Sequence, residues 1–201
     1  MARVTIATRV VAGTSDQDRV CHRVQGGVDL VVLADGAGGF SGGREAAEEL
    51  VRSARLNLST PKESASELLR LDRLLEANSA CGETTGVLLV VRDGRFFGAS
   101  VGDSGSWAIH REASFELTSN QRVKPLLGSG AARPVAFGPY PLNDRLLLAT
   151  DGLHKYVPWP RIKALALLEP LEHALDGLVA AARLPSGALQ DDVGIALVQP
   201  G

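Results

Sequence analysis

Three apolar runs in this chain stop at an aspartate set against glycine. Val31-Val32-Leu33-Ala34 ends in Asp35-Gly36, Phe96 to Val101 runs into Gly102-Asp103-Ser104-Gly105, and Leu146 to Thr150 runs into Asp151-Gly152. A fourth site inverts the order, with Asp191-Asp192 preceding Val193 to Val198. Such a run reads as a strand buried in a core, and the glycine behind it gives the backbone unusual freedom at the core's lip. A fold that satisfies all four must deliver several strand ends, each with a carboxylate, to one border of its sheets. The expectation is that Asp35, Asp103, Asp151 and Asp191 converge on one acidic centre.

The remaining pattern predicts the scaffold. Arg3 to Val11 is rich in β-branched residues and reads as a first strand, followed by a polar turn over residues 13–18. Val28 to Ala34 is the second strand, apolar at nearly every position and therefore buried on both faces. Ala46, Ala47, Leu50, Val51, Ala54 and Leu58 recur at helical spacing from Arg44 onward, with Glu45, Glu48 and Glu49 in the first turns, where the helix dipole favours anions. Ser59-Thr60-Pro61 breaks that helix, and a second runs from about Glu63 to Ala80. Gly86 to Arg92 and Arg95 to Val101 flank Asp93-Gly94, a hairpin signal. Ser106 to His110 and Phe115 to Thr118 form another hairpin, and residues 119–135 read as loop. Arg145 to Ala149 and Val193 to Val198 are strands, separated by helices over Pro160 to Leu168 and Leu171 to Leu184. Segregated rather than alternating elements predict α+β: a central β-sandwich of two antiparallel sheets, with a helix pair outside each, as one domain spanning residues 1–201.

Composition excludes some partners. The 201 residues carry a formal net charge of −2, so there is no global basic field for nucleic acid or an anionic membrane. Cys21 and Cys81 lie far apart without CxxC spacing and fit reduced thiols in the cytoplasm. The first residues lack the apolar stretch of a signal peptide, and no apolar run approaches the ~18 residues of a membrane span.

The acidic centre calls for a hard cation. Carboxylates at several loop ends suit Mg²⁺ or Mn²⁺, whereas His22, His110, His154 and His173 show no zinc-ligand spacing. Two such ions about 3.5–4 Å apart can lower the pKa of a water and clamp phosphoryl oxygens. A phosphate loop is the rival reading of residues 36–43. However, Gly43 is followed by Arg44-Glu45 rather than Lys and Ser or Thr, and the third glycine of a dinucleotide pattern falls on Ser41. Asp93-Gly94 reads as a hairpin turn, and Asp176-Gly177 as a helix-surface pair.

Six motifs in order resemble the metal-dependent protein serine/threonine phosphatases of the 2C type. Ser15-Asp16-Gln17-Asp18 looks like that family's first acidic motif, and Asp35-Gly36-Ala37-Gly38-Gly39 like its Asp-Gly-x-Gly-Gly motif. Glu83-Thr84-Thr85-Gly86 is similar to its Gly-Thr/Ser-Thr-Ala stretch, Gly102-Asp103-Ser104 to Gly-Asp-Ser-Arg, and Thr150-Asp151-Gly152 and Asp191-Asp192 to its last two acidic motifs. The resemblance implies the same β-sandwich and a set of roles. Asp35 would bridge two Mn²⁺ or Mg²⁺ ions with the Gly36 carbonyl on one of them. Asp151 and Asp191 would complete the first metal site, and Asp103 with Asp151 would hold a third, weaker ion. Asp18 would order bound water. A metal-bridging hydroxide would attack phosphorus in line. The implied partner is a phosphorylated protein, a serine/threonine kinase or its target.

Four departures accompany the resemblance. Gly13 stands where the family usually has a phosphate-binding Arg, with Arg9 and Arg19 nearby. Ala37 occupies the place of a His proposed as general acid, and Gly105 replaces the Arg after Asp103-Ser104. The stretch from Ser119 to Arg133 is short where bacterial relatives carry a flap, which predicts an open site. Lys124, Arg122, Arg44 and His154 are candidate phosphate contacts beside the default of solvated side chains, and Trp107 and Trp159 read as packing. Two other readings remain open: a catalytically weak or inactive binding module on the same scaffold, and hydrolysis of a small-molecule phosphate.

Overall fold

The computed structural model describes residues 4–37 and 42–201, and these form two five-stranded antiparallel sheets stacked face to face. In chain order the strands are β1 (Val4–Val11), β2 (Asp18–Gln25), β3 (Val28–Asp35), β4 (Gly86–Arg92), β5 (Arg95–Val101), β6 (Gly105–Ile109), β7 (Ser114–Glu116), β8 (Val135–Pro141), β9 (Arg145–Ala149) and β10 (Val193–Pro200). One sheet has the order β1-β10-β9-β6-β7 and the other β2-β3-β4-β5-β8. Helices α1 (Gly43–Ser53) and α2 (Pro61–Glu76) pack outside the second sheet. Helices α3 (Asp151–His154), α4 (Trp159–Ala166) and α5 (Leu171–Ala182) cover the first.

Side-chain alternation along β3 explains the layering. Leu30, Val32 and Ala34 face the helix pair, where they meet Leu50, Leu68 and Leu71. Val31 and Leu33 face the other sheet, where they meet Leu146, Leu148, Ala196 and Val198. β9 and β10 repeat the device, with Leu147, Ile195 and Leu197 turned toward Leu175 and Leu178. A strand buried on both faces needs an apolar residue at every position, and that is what these runs supply. Each fully buried Leu contributes roughly 1.5–3 kcal/mol.

The hairpins follow their turn chemistry. Asp93 and Gly94 take φ of 50° and 69°, the pair of positive values that a type I′ turn requires. Thr60 caps α2, its side chain accepting from the Glu63 N–H at 3.1 Å, while Glu63 accepts from the Ser59 N–H at 2.7 Å. Pro61 then opens the helix, so the three residues expected only as a breaker also start the next element. α1 ends at Ser53 rather than Leu58, because side chains take its last carbonyls. Arg70 donates to the Ser53 oxygen at 2.7 Å and Arg23 to the Ala54 oxygen at 2.6 Å.

Three elements are additions to the sequence reading. β2 and β8 are both edge strands. The first is polar at most positions, and the second contains Gly138, Pro139 and Pro141, which an interior strand would not tolerate. The third is α3, a single turn directly after β9. No helix among the described residues is long and apolar enough to cross a membrane.

Candidate metal centre

Asp18 is the first residue of β2 and Asp35 the last of β3, and the two are directly opposite in the ladder. β5 ends just before Asp103. β9 ends two residues before Asp151, which opens α3. Asp191 and Asp192 sit just before β10. Antiparallel pairing therefore carries six carboxylates from five parts of the chain to one end of the sandwich. There a cleft of ≈ 380 Å³ is lined by Asp35, Gly36, Asp103, Asp151 and Asp191, among others. Asp18 lies behind its wall, 2% exposed. Gly38, Gly39 and Ser41 of the glycine-rich motif lie outside the described residues.

Neutral side chains fix these acids in place. The Asp35 N–H donates to Thr85 Oγ1 at 3.0 Å, and Thr85 Oγ1 shares a 2.7 Å hydrogen bond with Ser104 Oγ. The Asp35 carbonyl accepts from Thr84 Oγ1 and from the Thr85 N–H, both at 2.9 Å. One hydroxyl pair thus ties the end of β3 to the loop that carries Asp103. Thr150 donates from Oγ1 to Asp18 Oδ2 at 2.7 Å and accepts from the Gly194 N–H at 2.9 Å, joining the ends of β9 and β10 to Asp18.

Asp192 has a different task from Asp191. It is 3% exposed and accepts from the N–H groups of Gly13 (2.7 Å), Ser15 (3.3 Å) and Gln17 (2.6 Å). The β1–β2 loop is wrapped around this one carboxylate. Burial alone would push its pKa up, but the surrounding N–H groups outweigh that and hold it below the ordinary carboxylate value. The family resemblance implies a metal role for Asp191 and assigns none to Asp192, whose hold on the loop is an addition from the structure. The inverted order, acid before strand, was the available signal that one of them serves a preceding loop.

The electrostatics run the other way for the remaining acids. Burial pushes Asp35 up to about 9, with repulsion from Asp18, Asp151, Asp191 and Asp103 adding to it. Asp18 rises to about 7, again through burial first, with the Thr150 hydrogen bond opposing and Asp192, Asp191 and Asp151 repelling. Asp191 is also raised, by burial and then by Asp151 and Asp192. Lys155 reaches Asp151 at 3.5 Å from the rim. Among the described residues, no three acidic, histidine or cysteine side chains stand close enough to grip an ion as they are. The donor set still fits a hard divalent cation. It is all oxygen, and its carboxylates are held together at a cost that positive charge would offset.

The candidate phosphate contacts separate clearly. Arg9 is held by Glu172 and Asp176 on α5, each at 2.8 Å. Arg19 is held by Glu48 at 2.6 Å and by the Asp18 carbonyl at 2.7 Å. Arg44 pairs with Asp16. His154 Nε2 bonds the Asp103 carbonyl oxygen at 3.0 Å, and its ring packs edge-on to Trp107 at 5.3 Å. Neither these nor Arg122 lines the cleft, which removes them as phosphate contacts, whereas Lys124 does line it.

Two of the departures have a steric basis. A Cβ on Gly13 would lie 2.2 Å from the Asp191 carbonyl oxygen, so no side chain fits there. A Cβ on Gly105 would lie 2.1 Å from the Trp107 ring, which stacks on Trp159 at 5.2 Å. Trp107 and Trp159 are packing residues, as expected.

A sequence profile described as Protein phosphatase 2C matches residues 7–186, a span that ends short of Asp191 and Asp192. No curated protein matches the chain. Among solved structures, a bacterial serine phosphatase superposes with a TM-score of 0.82 at 23% identity, covering 98% of this chain and 97% of its own. The Mycobacterium tuberculosis serine/threonine phosphatase PstP superposes at 0.81 and 18% identity, with 98% of each chain covered. The catalytic domain of PstP in complex with two manganese ions superposes at 0.82 and 16% identity, again with 98% of each chain covered. At these identities the structures establish the shared fold, two antiparallel sheets between helices.

Proposed function

This chain belongs to the protein phosphatase 2C family, and we propose that it is a Mn²⁺- or Mg²⁺-dependent phosphatase of phosphoserine and phosphothreonine in proteins. The observation that carries the reading is the gathering of Asp35, Asp103, Asp151 and Asp191 around one cleft, from four separate segments of one sandwich. In this reading residues 1–201 act as one phosphatase-like domain. The partner is a phosphorylated protein, a kinase or its target. The free thiols of Cys21 and Cys81 support a cytoplasmic setting.

The residues divide the work. Asp35, the Gly36 carbonyl, Asp151 and Asp191 would hold a pair of ions, and Asp103 with Asp151 a third. Bound there, divalent cations would supply Lewis acidity, acidifying water and neutralising the charge of the phosphoryl oxygens. Asp18 stands behind them. Its Oδ2 is engaged by Thr150, and its Oδ1, which no donor among the described residues reaches, is left to orient a water. Asp192 keeps the β1–β2 loop against the cleft so that the Asp191 backbone stays where the carboxylate is needed.

The test is hydrolysis of p-nitrophenyl phosphate and of a phosphopeptide by purified protein. Turnover is expected only with added Mn²⁺ or Mg²⁺, and Asp35→Asn or Asp151→Asn should abolish it. Turnover that persists in chelator would overturn the reading. One observation favours a second reading, a module that binds phosphopeptides without turning them over: there is no room for any side chain at Gly13, where relatives carry a phosphate-binding Arg. Phosphopeptide binding without phosphate release at saturating Mn²⁺ would select it.

A further inference from the structure

We propose that Lys124 is the protein's own contact to the phosphoryl group, an assignment that rests on the phosphatase reading above. A phosphate ester brings up to two negative charges into a cleft whose walls are acidic. Cations bound to the aspartates would cancel the protein's charge, and the outer oxygens of the ester would still need a donor. Among the described residues that line the cleft, Lys124 is the one cation. It is exposed and makes no ion pair with another described residue. The arginines closest in sequence to the first acidic motif are committed to carboxylates elsewhere.

The backbone that carries Lys124 is fixed relative to the acids. Three residues on, Leu127 exchanges two hydrogen bonds with Thr84, each 3.0 Å, and Thr84 holds the Asp35 carbonyl. Beyond Leu127, Asp72 of α2, 2% exposed, accepts from the N–H groups of Gly128 (2.8 Å), Gly130 (3.1 Å) and Ala132 (3.1 Å). A short span therefore separates the ammonium from a rigid anchor. Its flexible four-carbon stem and compact charge suit an oxygen that shifts position during reaction. A charge-assisted hydrogen bond of this kind adds affinity for the phosphoryl group without requiring a fixed bidentate geometry.

The experiment compares wild type, Lys124→Ala, Lys124→Arg and Arg122→Ala, the last an exposed cation two residues away that does not line the cleft. At saturating Mn²⁺, Lys124→Ala should raise KM for p-nitrophenyl phosphate about tenfold, with kcat within about twofold. Lys124→Arg should recover most of the loss, and Arg122→Ala should behave as wild type. Thermal melting guards against a folding defect. An unchanged KM in Lys124→Ala, or an equal rise in Arg122→Ala, overturns the assignment while leaving the phosphatase reading intact. If the wild type itself does not turn over, that reading fails, and the assignment is then judged by calorimetry of inorganic phosphate at saturating Mn²⁺. Roughly tenfold weaker binding by Lys124→Ala supports it, and equal binding overturns it.

Discussion

Asp18 and Asp35 form the terminal rung of the β2–β3 ladder, two carboxylates placed opposite each other, Asp35 lining the acidic cleft and Asp18 behind its wall. Burial drives both groups well above the usual carboxylate range, and for Asp35 the charge of Asp18 adds to it. The hydrophobic faces of β3, β9 and β10 hold the arrangement together regardless, so the sandwich stores unfavourable electrostatics at one end.

The first consequence concerns pH. A carboxylate with a raised folded-state pKa binds more protons when folded, so its contribution is fully present below the unfolded value near 3.8 and is lost as pH climbs toward about 9. Metal-free protein should therefore lose stability across that window. Asp35→Asn should flatten the slope, being more stable than the parent at pH 8 by on the order of a few kcal/mol and about equal to it near pH 4. Urea melts in chelator at several pH values measure this, and stability rising with pH would contradict it.

Metal binding should release protons for the same reason. Asp35 and Asp18, raised to about 9 and about 7, are largely protonated at pH 6.5 and must ionise when a cation arrives. Calorimetric titration with Mn²⁺ in buffers of different ionisation enthalpy should show release of about one to two protons per protein. Asp35→Asn should lower that number by about one.

Asp192 is expected to matter for architecture more than for ligation. Its replacement by Ala removes the acceptor for the N–H groups of Gly13, Ser15 and Gln17 and should cost about 2–4 kcal/mol. Asp192→Asn should be intermediate, since an amide offers one acceptor oxygen where the loop uses two. Denaturation curves, with the Mn²⁺ concentration for half-maximal activity, separate this from Asp191→Ala. The latter should raise the Mn²⁺ concentration needed for half-maximal activity, with little loss of stability.

Gly13→Arg should not improve the enzyme. The family usually places an arginine there, yet the new Cβ would press on the Asp191 carbonyl and force the β1–β2 loop off Asp192. The expected outcome is destabilisation of roughly 2 kcal/mol or more, with lower activity at every Mn²⁺ concentration. A lower KM without loss of stability would show that the loop can yield.

What the residues disclosed in advance follows from how strongly each is constrained. The runs at 31–34, 146–149 and 193–198 had to be apolar throughout because both faces are covered, and their abrupt ends at Asp35, Asp151 and Asp191 marked the cleft. Edge strands lack that constraint. β2 alternates weakly behind its acidic start, and β8 carries two prolines, so neither declared itself, although Gly26-Gly27 with positive φ at both residues is a hairpin turn. The hydroxyls of Thr85, Ser104 and Thr150 were equally silent. Their roles depend on meeting one another across the fold, which no local pattern records.

The connection from β7 to β8 spans residues 117–134, and its far half is stapled to Thr84 and Asp72. Val123, Lys124 and Leu126 of the same connection line the cleft, so one side of the mouth is braced from behind by a helix on the outer face of the sandwich. Loosening Asp72 would therefore reach the substrate's side of the cleft through the backbone, without altering any acid that faces it.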